Sequence, residues 1–227
     1  SLVRVPGLVI LNRQNYAQDL QISVRGFGAR STFGVRGVRM YVDGIPATMP
    51  DGQGQVSHFA LNAVDRVEML RGPFSALYGN SSGGVIAMTT RLEPGPNELE
   101  LSGAAGSYDT WRAGINVSGG TAPYAYALDA SRFSTGGYRD YSSAQRDVVN
   151  LRAAALDTPL GRLRLTLNAL DIPEAEDPLG LTRAQWQENP RQASPQALQF
   201  RTRKSTEQQQ LGAHLAGYRG WRLLASA

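Results

Sequence analysis

Beyond residue 97, apolar and polar residues alternate with a period of two, segment after segment. In Trp111 to Ser118, Trp111, Ala113, Ile115 and Val117 alternate with Arg112, Gly114, Asn116 and Ser118. Arg162 to Asn168 repeats this, with Leu163, Leu165 and Leu167 set against Arg162, Arg164, Thr166 and Asn168. Asp147 to Ala155 does so again, with Val149, Leu151, Ala153 and Ala155 opposite Val148, Asn150, Arg152 and Ala154. Successive side chains of a strand point to opposite faces, so each segment predicts a strand with one apolar and one polar face. About seven strands are expected, starting near residues 98, 111, 124, 147, 162, 205 and 221. Short connections near 107–109, 119–123, 158–161 and 218–220 are interspersed with longer ones, at about 135–145 and 173–197.

Upstream the pattern differs. Short β-rich runs are punctuated by glycine, and Leu92-Glu93-Pro94-Gly95-Pro96-Asn97 marks a boundary, because Pro and Gly interrupt both regular periods. Val38, Met40 and Val42 share one face of a strand that ends in an Asp43-Gly44 turn, and Val67, Met69 and Val85 to Met88 are expected to add buried strands. Pro73 to Leu77 predicts one helical turn, with Pro at a first-turn position where its missing N–H costs nothing. Gly26, Gly28, Gly44, Gly72 and Gly79 suit positive φ or close backbone approach. The expected organisation is an α+β unit over 1–91, a small mixed sheet with short helices, then antiparallel β-strands over 97–227.

The alternating strands fit two architectures. A soluble β-sandwich also alternates. A transmembrane barrel places lipid outside and a polar lumen inside, with aromatic girdles at strand ends. Tyr108, Trp111, Tyr124, Tyr126, Tyr138, Tyr141, Tyr218 and Trp221 fall at such ends, and Ala and Leu on the apolar face lack the bulk of a sandwich core. No apolar run approaches the length of a membrane helix, so a bilayer could be crossed here only by strands. Seven strands cannot close a large barrel, so an incomplete barrel with an open edge is expected. The chain begins at Ser1 without a charged and apolar leader, and is expected to be a piece of a longer precursor.

Charge changes the picture by its placement. Residues 1–91 hold nine arginines against five acids, while residues 92–227 are balanced, so the net +4 belongs to the first part. Arg25, Arg30, Arg36 and Arg39 fall within fifteen residues. A basic concave surface concentrates anions, although these arginines could equally pair with carboxylates elsewhere. Stacking aromatics are not interleaved with them and lysine is nearly absent, which argues against nucleic acid as a partner.

Catalytic and metal signals are weak. Gly79-Asn80-Ser81-Ser82-Gly83 has the spacing of a nucleophile elbow, but the strand-like Val85 to Thr90 follows it where a helix is required. Gly26-Phe27-Gly28 is followed by Ser31 in place of the third glycine of a dinucleotide loop. With no cysteine and only His58 and His214, side chains for a metal site are lacking. No enzymatic activity and no covalently bound cofactor are expected.

Three signatures follow one another between residues 24 and 79: Val24-Arg25-Gly26-Phe27, Met40-Tyr41-Val42-Asp43-Gly44-Ile45-Pro46, and Glu68-Met69-Leu70-Arg71-Gly72-Pro73-Phe74-Ser75-Ala76-Leu77-Tyr78-Gly79. Ser82-Gly83-Gly84-Val85-Ile86 closes the run. In this order and spacing they resemble the plug domain of the TonB-dependent outer-membrane receptors. The resemblance covers roughly Leu2 to Arg91. It implies a plug followed by the first strands of a twenty-two-stranded barrel in the outer membrane of a Gram-negative bacterium. It also implies outer-membrane lipid around the strands and energised uptake of a ferric siderophore, ferric dicitrate or related iron chelate as transported ligand. The TonB complex would be the partner, through a TonB box upstream of the resembling region. Uptake of a non-iron nutrient such as cobalamin or a sugar is the alternative within the family, and a soluble periplasmic binding or signalling module the alternative outside it.

Carried over by motif, Arg25 matches a ligand-facing arginine of the family, and Ala47 to Gln55 an apical ligand-facing loop. The candidate ligand-binding residues are Arg25, Arg30, Arg36, Asp51, Gln53 and Gln55. Gly26, Asp43, Gly44, Glu68, Arg71, Gly72, Pro73, Tyr78 and Gly79 are expected to specify the plug fold.

Overall fold

The computed structural model describes residues 6–11, 15–31, 34–47, 53–54, 64–72, 75–79, 81–217 and 222–226. The chain divides into two compact units, one of residues 1–14 and 18–91 and the other of residues 15–17 and 92–227.

The first unit holds two four-stranded sheets. One has β1 (Leu8–Leu11), β2 (Gln21–Val24), β3 (Val35–Arg36) and β6 (Gln53–Gly54) side by side. The other runs in the order β5 (Ile45–Pro46), β4 (Val38–Val42), β8 (Gly84–Thr90), β7 (Val64–Leu70). The pairs β2–β3 and β4–β8 are parallel and the rest antiparallel, so both sheets are mixed, as expected. Leu8, Ile22, Val24, Val35, Val38, Met40, Ile86 and Met88 form one buried core. Burying such side chains contributes roughly 1.5–3 kcal/mol each.

One expectation needs correction here, and a second falls partly outside the described residues. Val67 is exposed rather than buried, because β7 is an edge strand with a neighbour on one side only, while Met69 is half-buried against the core. The helical turn is α1 (Ser75–Tyr78), and Pro73, expected to open it, lies outside the described residues.

The second unit is a seven-stranded antiparallel meander: β9 (Gly95–Gly106), β10 (Thr110–Gly120), β11 (Tyr124–Thr135), β12 (Ala144–Thr158), β13 (Gly161–Glu176), β14 (Arg203–Ala216) and β15 (Arg222–Ser226). Each strand pairs with the next in sequence, and β9 and β15 leave the two edges open. Strand β13 runs on through Pro173, which sequence alone placed in the loop. The pairing with β14 skips between Ile172 and Ala175, an irregularity that accommodates a residue with no N–H to donate. The connection is therefore 177–202, and it contains two helices that the alternation did not foresee, α2 (Arg183–Glu188) and α3 (Pro195–Phe200).

The register lines residues of one kind into rows. Leu99, Val117, Leu128, Leu151, Leu167 and Leu211 are cross-strand neighbours across six strands. One residue along, on the opposite face, Glu100, Asn116, Asp129, Asn150, Asn168 and Gln210 form a parallel row. The apolar face is the exposed one, with Leu99 64%, Leu167 41% and Leu211 57% accessible, whereas Asp129, Asn150, Arg152, Thr166 and Asn168 on the polar face are each under 9%. A water-soluble sheet has the reverse arrangement. An apolar exterior over a polar interior is the arrangement of a barrel wall in lipid. Short turns at 121–123 and 159–160 lie at one end of the sheet. The connections 107–109, 136–143 and 177–202 lie at the other.

Candidate functional site

In the first unit, Arg25 sits in a two-residue turn that ends β2. Val24 and Phe27 exchange both backbone hydrogen bonds at 2.9 Å, and Arg25 and Gly26 have φ of +49° and +86°. The Arg25 N–H donates to the Gly7 carbonyl at 2.7 Å, so the turn is pinned to the strand-entry segment. Gly28 follows at φ +83°, and a Cβ there would lie 2.8 Å from the Ile22 carbonyl oxygen and 2.9 Å from that of Arg36. Only glycine fits. The buried Gln21 amide donates to the Ala29 carbonyl at 2.8 Å, which fixes the backbone that carries Arg30. Arg36 ends β3 opposite Gln53. The structure thus places Arg25, Arg30 and Arg36 on exposed turns and a strand end around β2 and β3, and among the described residues no carboxylate pairs with any of them. Asp51 and Gln55 lie outside the described residues, and Gln53 is described in its backbone alone.

The expected fold-specifying residues divide into two groups. Asp43 adopts φ +52° beside Gly44 at +83°, closing the β4–β5 hairpin. Its carboxylate accepts the Thr90 N–H at 2.8 Å and the Thr90 hydroxyl at 2.6 Å, clamping the end of β8. Tyr78 packs its ring edge-on to Tyr41 at 5.6 Å, and Gly72 and Gly79 have φ of +131° and +71°. Glu68 and Arg71, by contrast, are exposed: Glu68 lies 3.4 Å from Arg66, and Arg71 donates to the Pro6 carbonyl at 3.3 Å.

The second unit carries a site that sequence analysis did not single out. At the end with the longer connections, Arg139 donates to the carbonyls of Leu179 at 2.5 Å, Pro178 at 3.1 Å and Gln192 at 2.8 Å, gathering the 177–202 segment around one guanidinium. Burial holds Arg139 below its ordinary pKa, with Asp177 and Asp140 acting the other way. Arg191 lies over the rings of Tyr108 at 5.5 Å and Tyr138 at 5.8 Å, and the two rings meet edge-on at 5.4 Å. Its Nε donates to the Tyr138 carbonyl at 3.1 Å. The three connections at this end are therefore tied into one structured surface. Helices α2 and α3 expose Trp186, Leu198 and Phe200 on it. Residues 15–17 reach the same region: Asn15 donates to Asp177 at 2.8 Å, Tyr16 meets Phe133 at 5.2 Å, and Ala17 joins Ala144, Val148, Leu170, Ile172 and Ala175 in a buried cluster. None of these hydrogen-bond or ring partners is legible in one dimension, since 30 to 162 residues separate them.

Among the described residues no group of His, Asp and Glu is arranged to hold a metal ion. No helix there is long and apolar enough to cross a membrane.

Residues 1–85 match the family described as TonB-dependent Receptor Plug Domain. The chain is 32% identical over 121 residues to the vitamin B12 transporter BtuB of Photobacterium profundum, covering 52% of this chain and 19% of that protein. It is 35% identical over 116 residues to the pesticin receptor of Yersinia enterocolitica, covering 51% and 16%. The matched stretch thus spans less than a fifth of either relative. Among solved structures, the ferric yersiniabactin uptake receptor FyuA of Yersinia pestis superposes with a TM-score of 0.71 at 22% identity, over 99% of this chain and 37% of that one. The ferric citrate transporter FecA does so with a TM-score of 0.70 at 24% identity, over 94% and 34%.

Proposed function

We propose that this chain, whose residues 1–85 match the TonB-dependent receptor plug family, is a stretch of such a receptor of the Gram-negative outer membrane, and that the intact protein imports an anionic, oxygen-rich iron chelate. The observation that carries this reading is the set of exposed arginines Arg25, Arg30 and Arg36, which meet no carboxylate among the described residues, in the part of the chain that holds all of the net positive charge. Guanidinium N–H groups form charge-assisted bonds to carboxylate, catecholate or hydroxamate oxygens, which are about twice as strong as neutral ones. The plug loop 47–55 is the second contact surface in this reading, and the joined connections at 107–109, 136–143 and 177–202 are the capture surface. The receptors FyuA and FecA, whose fold this chain shares, are described as carrying ferric yersiniabactin and ferric citrate. Transport is energised by the TonB complex, which draws on the proton-motive force.

One observation favours a second reading. BtuB, a relative at 32% identity, carries vitamin B12, so a corrinoid cargo would use the same plug without needing the arginines. The experiment that separates them expresses the intact receptor in cells lacking their own iron-chelate and cobalamin receptors. Radiolabelled ferric dicitrate, a ferric catecholate and cobalamin are then supplied with and without a protonophore. Protonophore-sensitive uptake of an iron chelate is expected. Uptake of cobalamin alone would overturn the iron reading.

A further inference from the structure

Arg152 is 3% exposed and projects from the polar face of β12, level with the apolar belt on the other face. Its Nη2 donates to Asp129, and the other oxygen of Asp129 accepts from Asn116. The carboxylate is then used on both sides. What remains is a set of donors without acceptors: Arg152 Nε and Nη1, and Nδ2 of Asn150, which is 5% exposed and sits directly opposite Asp129 in the register. Neither Asn168 beside Asn150, whose amide donates to Gln210 Oε1 at 3.1 Å, nor Thr166 beside Arg152 accepts from them. Buried polar groups in folded proteins are almost always satisfied, because an unmet donor loses its hydration without compensation. All three unmet groups are N–H donors. Their complement is a group that presents several acceptor atoms.

We infer that Arg152 and Asn150 form an oxyanion-binding station on the polar face of the strand sheet. It is separate from the plug arginines, and it takes one carboxylate or phosphate group at a time. The Asp129 pairing keeps Arg152 oriented while leaving its other N–H groups without an acceptor, and it balances the Arg152 charge in the empty state. The same chemistry has two sources, a carboxylate of a chelate passing along the wall or a free inorganic anion. The first source rests on the import reading above. The second does not.

The test uses the intact receptor. Crystals soaked in bromide are expected to show an anomalous peak within hydrogen-bond distance of Arg152 and Asn150. It should be lost in Arg152→Lys, which keeps the charge and the Asp129 partner but removes Nε and Nη1, and weakened in Asn150→Ala, which leaves the ion pair intact. In parallel, uptake of radioiron-labelled ferric dicitrate is measured alongside its surface affinity. A roughly ten-fold slower uptake by Arg152→Lys at unchanged affinity assigns the station to the passing chelate. Unchanged uptake with the bromide peak lost assigns it to a free anion. No peak in the wild type, or a peak that Arg152→Lys retains, overturns the station. Failure of the wild type to import any iron chelate would sink the import reading and leave the bromide result to decide this one.

Discussion

Asn15 Nδ2 lies 2.8 Å from Asp177 Oδ1, although 162 residues separate them. Asp177 also accepts the Leu179 N–H at 2.9 Å and, through its own carbonyl, the Thr202 hydroxyl at 2.7 Å. Asp177 therefore ties both ends of the 177–202 connection together, through its carbonyl to Thr202 and through its carboxylate to Leu179 and Asn15. Loss of the Asn15 bond removes one hydrogen bond to a carboxylate, at a cost of about 1.5–3 kcal/mol. Asn15→Ala is expected to raise amide exchange across 178–202 in the intact receptor without unfolding the strands. Exchange unchanged from wild type would show that the loop is held without Asn15.

Asp43 gives a sharper case, because one residue does two jobs. It supplies the positive φ of the hairpin turn and two hydrogen bonds to Thr90. Asp43→Ala removes both contacts and strains the turn, so a loss of about 2–4 kcal/mol is expected. Asp43→Asn tolerates the turn and retains an acceptor, so it should lose less than half of that. Thermal unfolding of the receptor measures both, and equal losses would refute the separation of roles.

Asp43-Gly44 also shows why part of this fold can be read in one dimension. A D-G turn between β-rich runs is a local signal, and so is the alternation in Trp111 to Ser118 and Arg162 to Asn168. The expected strand starts accordingly lie within three residues of the observed ones. Val67 was misplaced because burial depends on a strand's rank in its sheet, which its own residues do not encode. The alternation marks 173–197 as a connection only, although Thr182 and Gln185 form a capping box and Pro195 opens α3. Those signals were present but were outweighed by the density of polar and turn residues. Arg139, Arg152 and Asn15 could not have been singled out, because what sets them apart is a partner twenty or more residues away. Of the ligand-facing candidates, Arg25 is marked by its motif and Arg30 and Arg36 by their place in the arginine cluster, but nothing local distinguishes a cation awaiting a ligand from one awaiting a carboxylate.

The face assignment of the strands makes a prediction that does not depend on the cargo. Leu165 is 43% exposed and neighbours Ala153 and Ala213 on the apolar face. An arginine placed there would lie in hydrocarbon, at a cost of about 2–4 kcal/mol near the midplane and less toward either interface. Leu165→Arg is expected to lower the yield of assembled, heat-modifiable receptor in the outer membrane, and Leu165→Ala to leave it near wild type. Equal assembly of Leu165→Arg and wild type would mean that the two faces have been exchanged.

The arginines of the plug carry the functional prediction. Arg25 is exposed in a turn fixed at both sides, by the Val24–Phe27 bonds and by the bond from its own N–H to Gly7, so its guanidinium is presented from a rigid base. A rigid base reduces the ordering cost of binding, and each lost charge-assisted bond costs about 1.5–3 kcal/mol, or roughly ten- to more than a hundred-fold in affinity. Arg25→Ala and Arg30→Ala in the intact receptor, with assembly confirmed, should each weaken chelate binding on that scale. Arg25→Lys should recover part of the loss if charge dominates and little of it if the planar fork is needed. Arg66, exposed and paired with Glu68, serves as the control, since removing it changes the net charge equally without touching the β2–β3 turns. A loss in Arg66→Ala as large as in Arg25→Ala would reduce the effect to long-range attraction and dissolve the site.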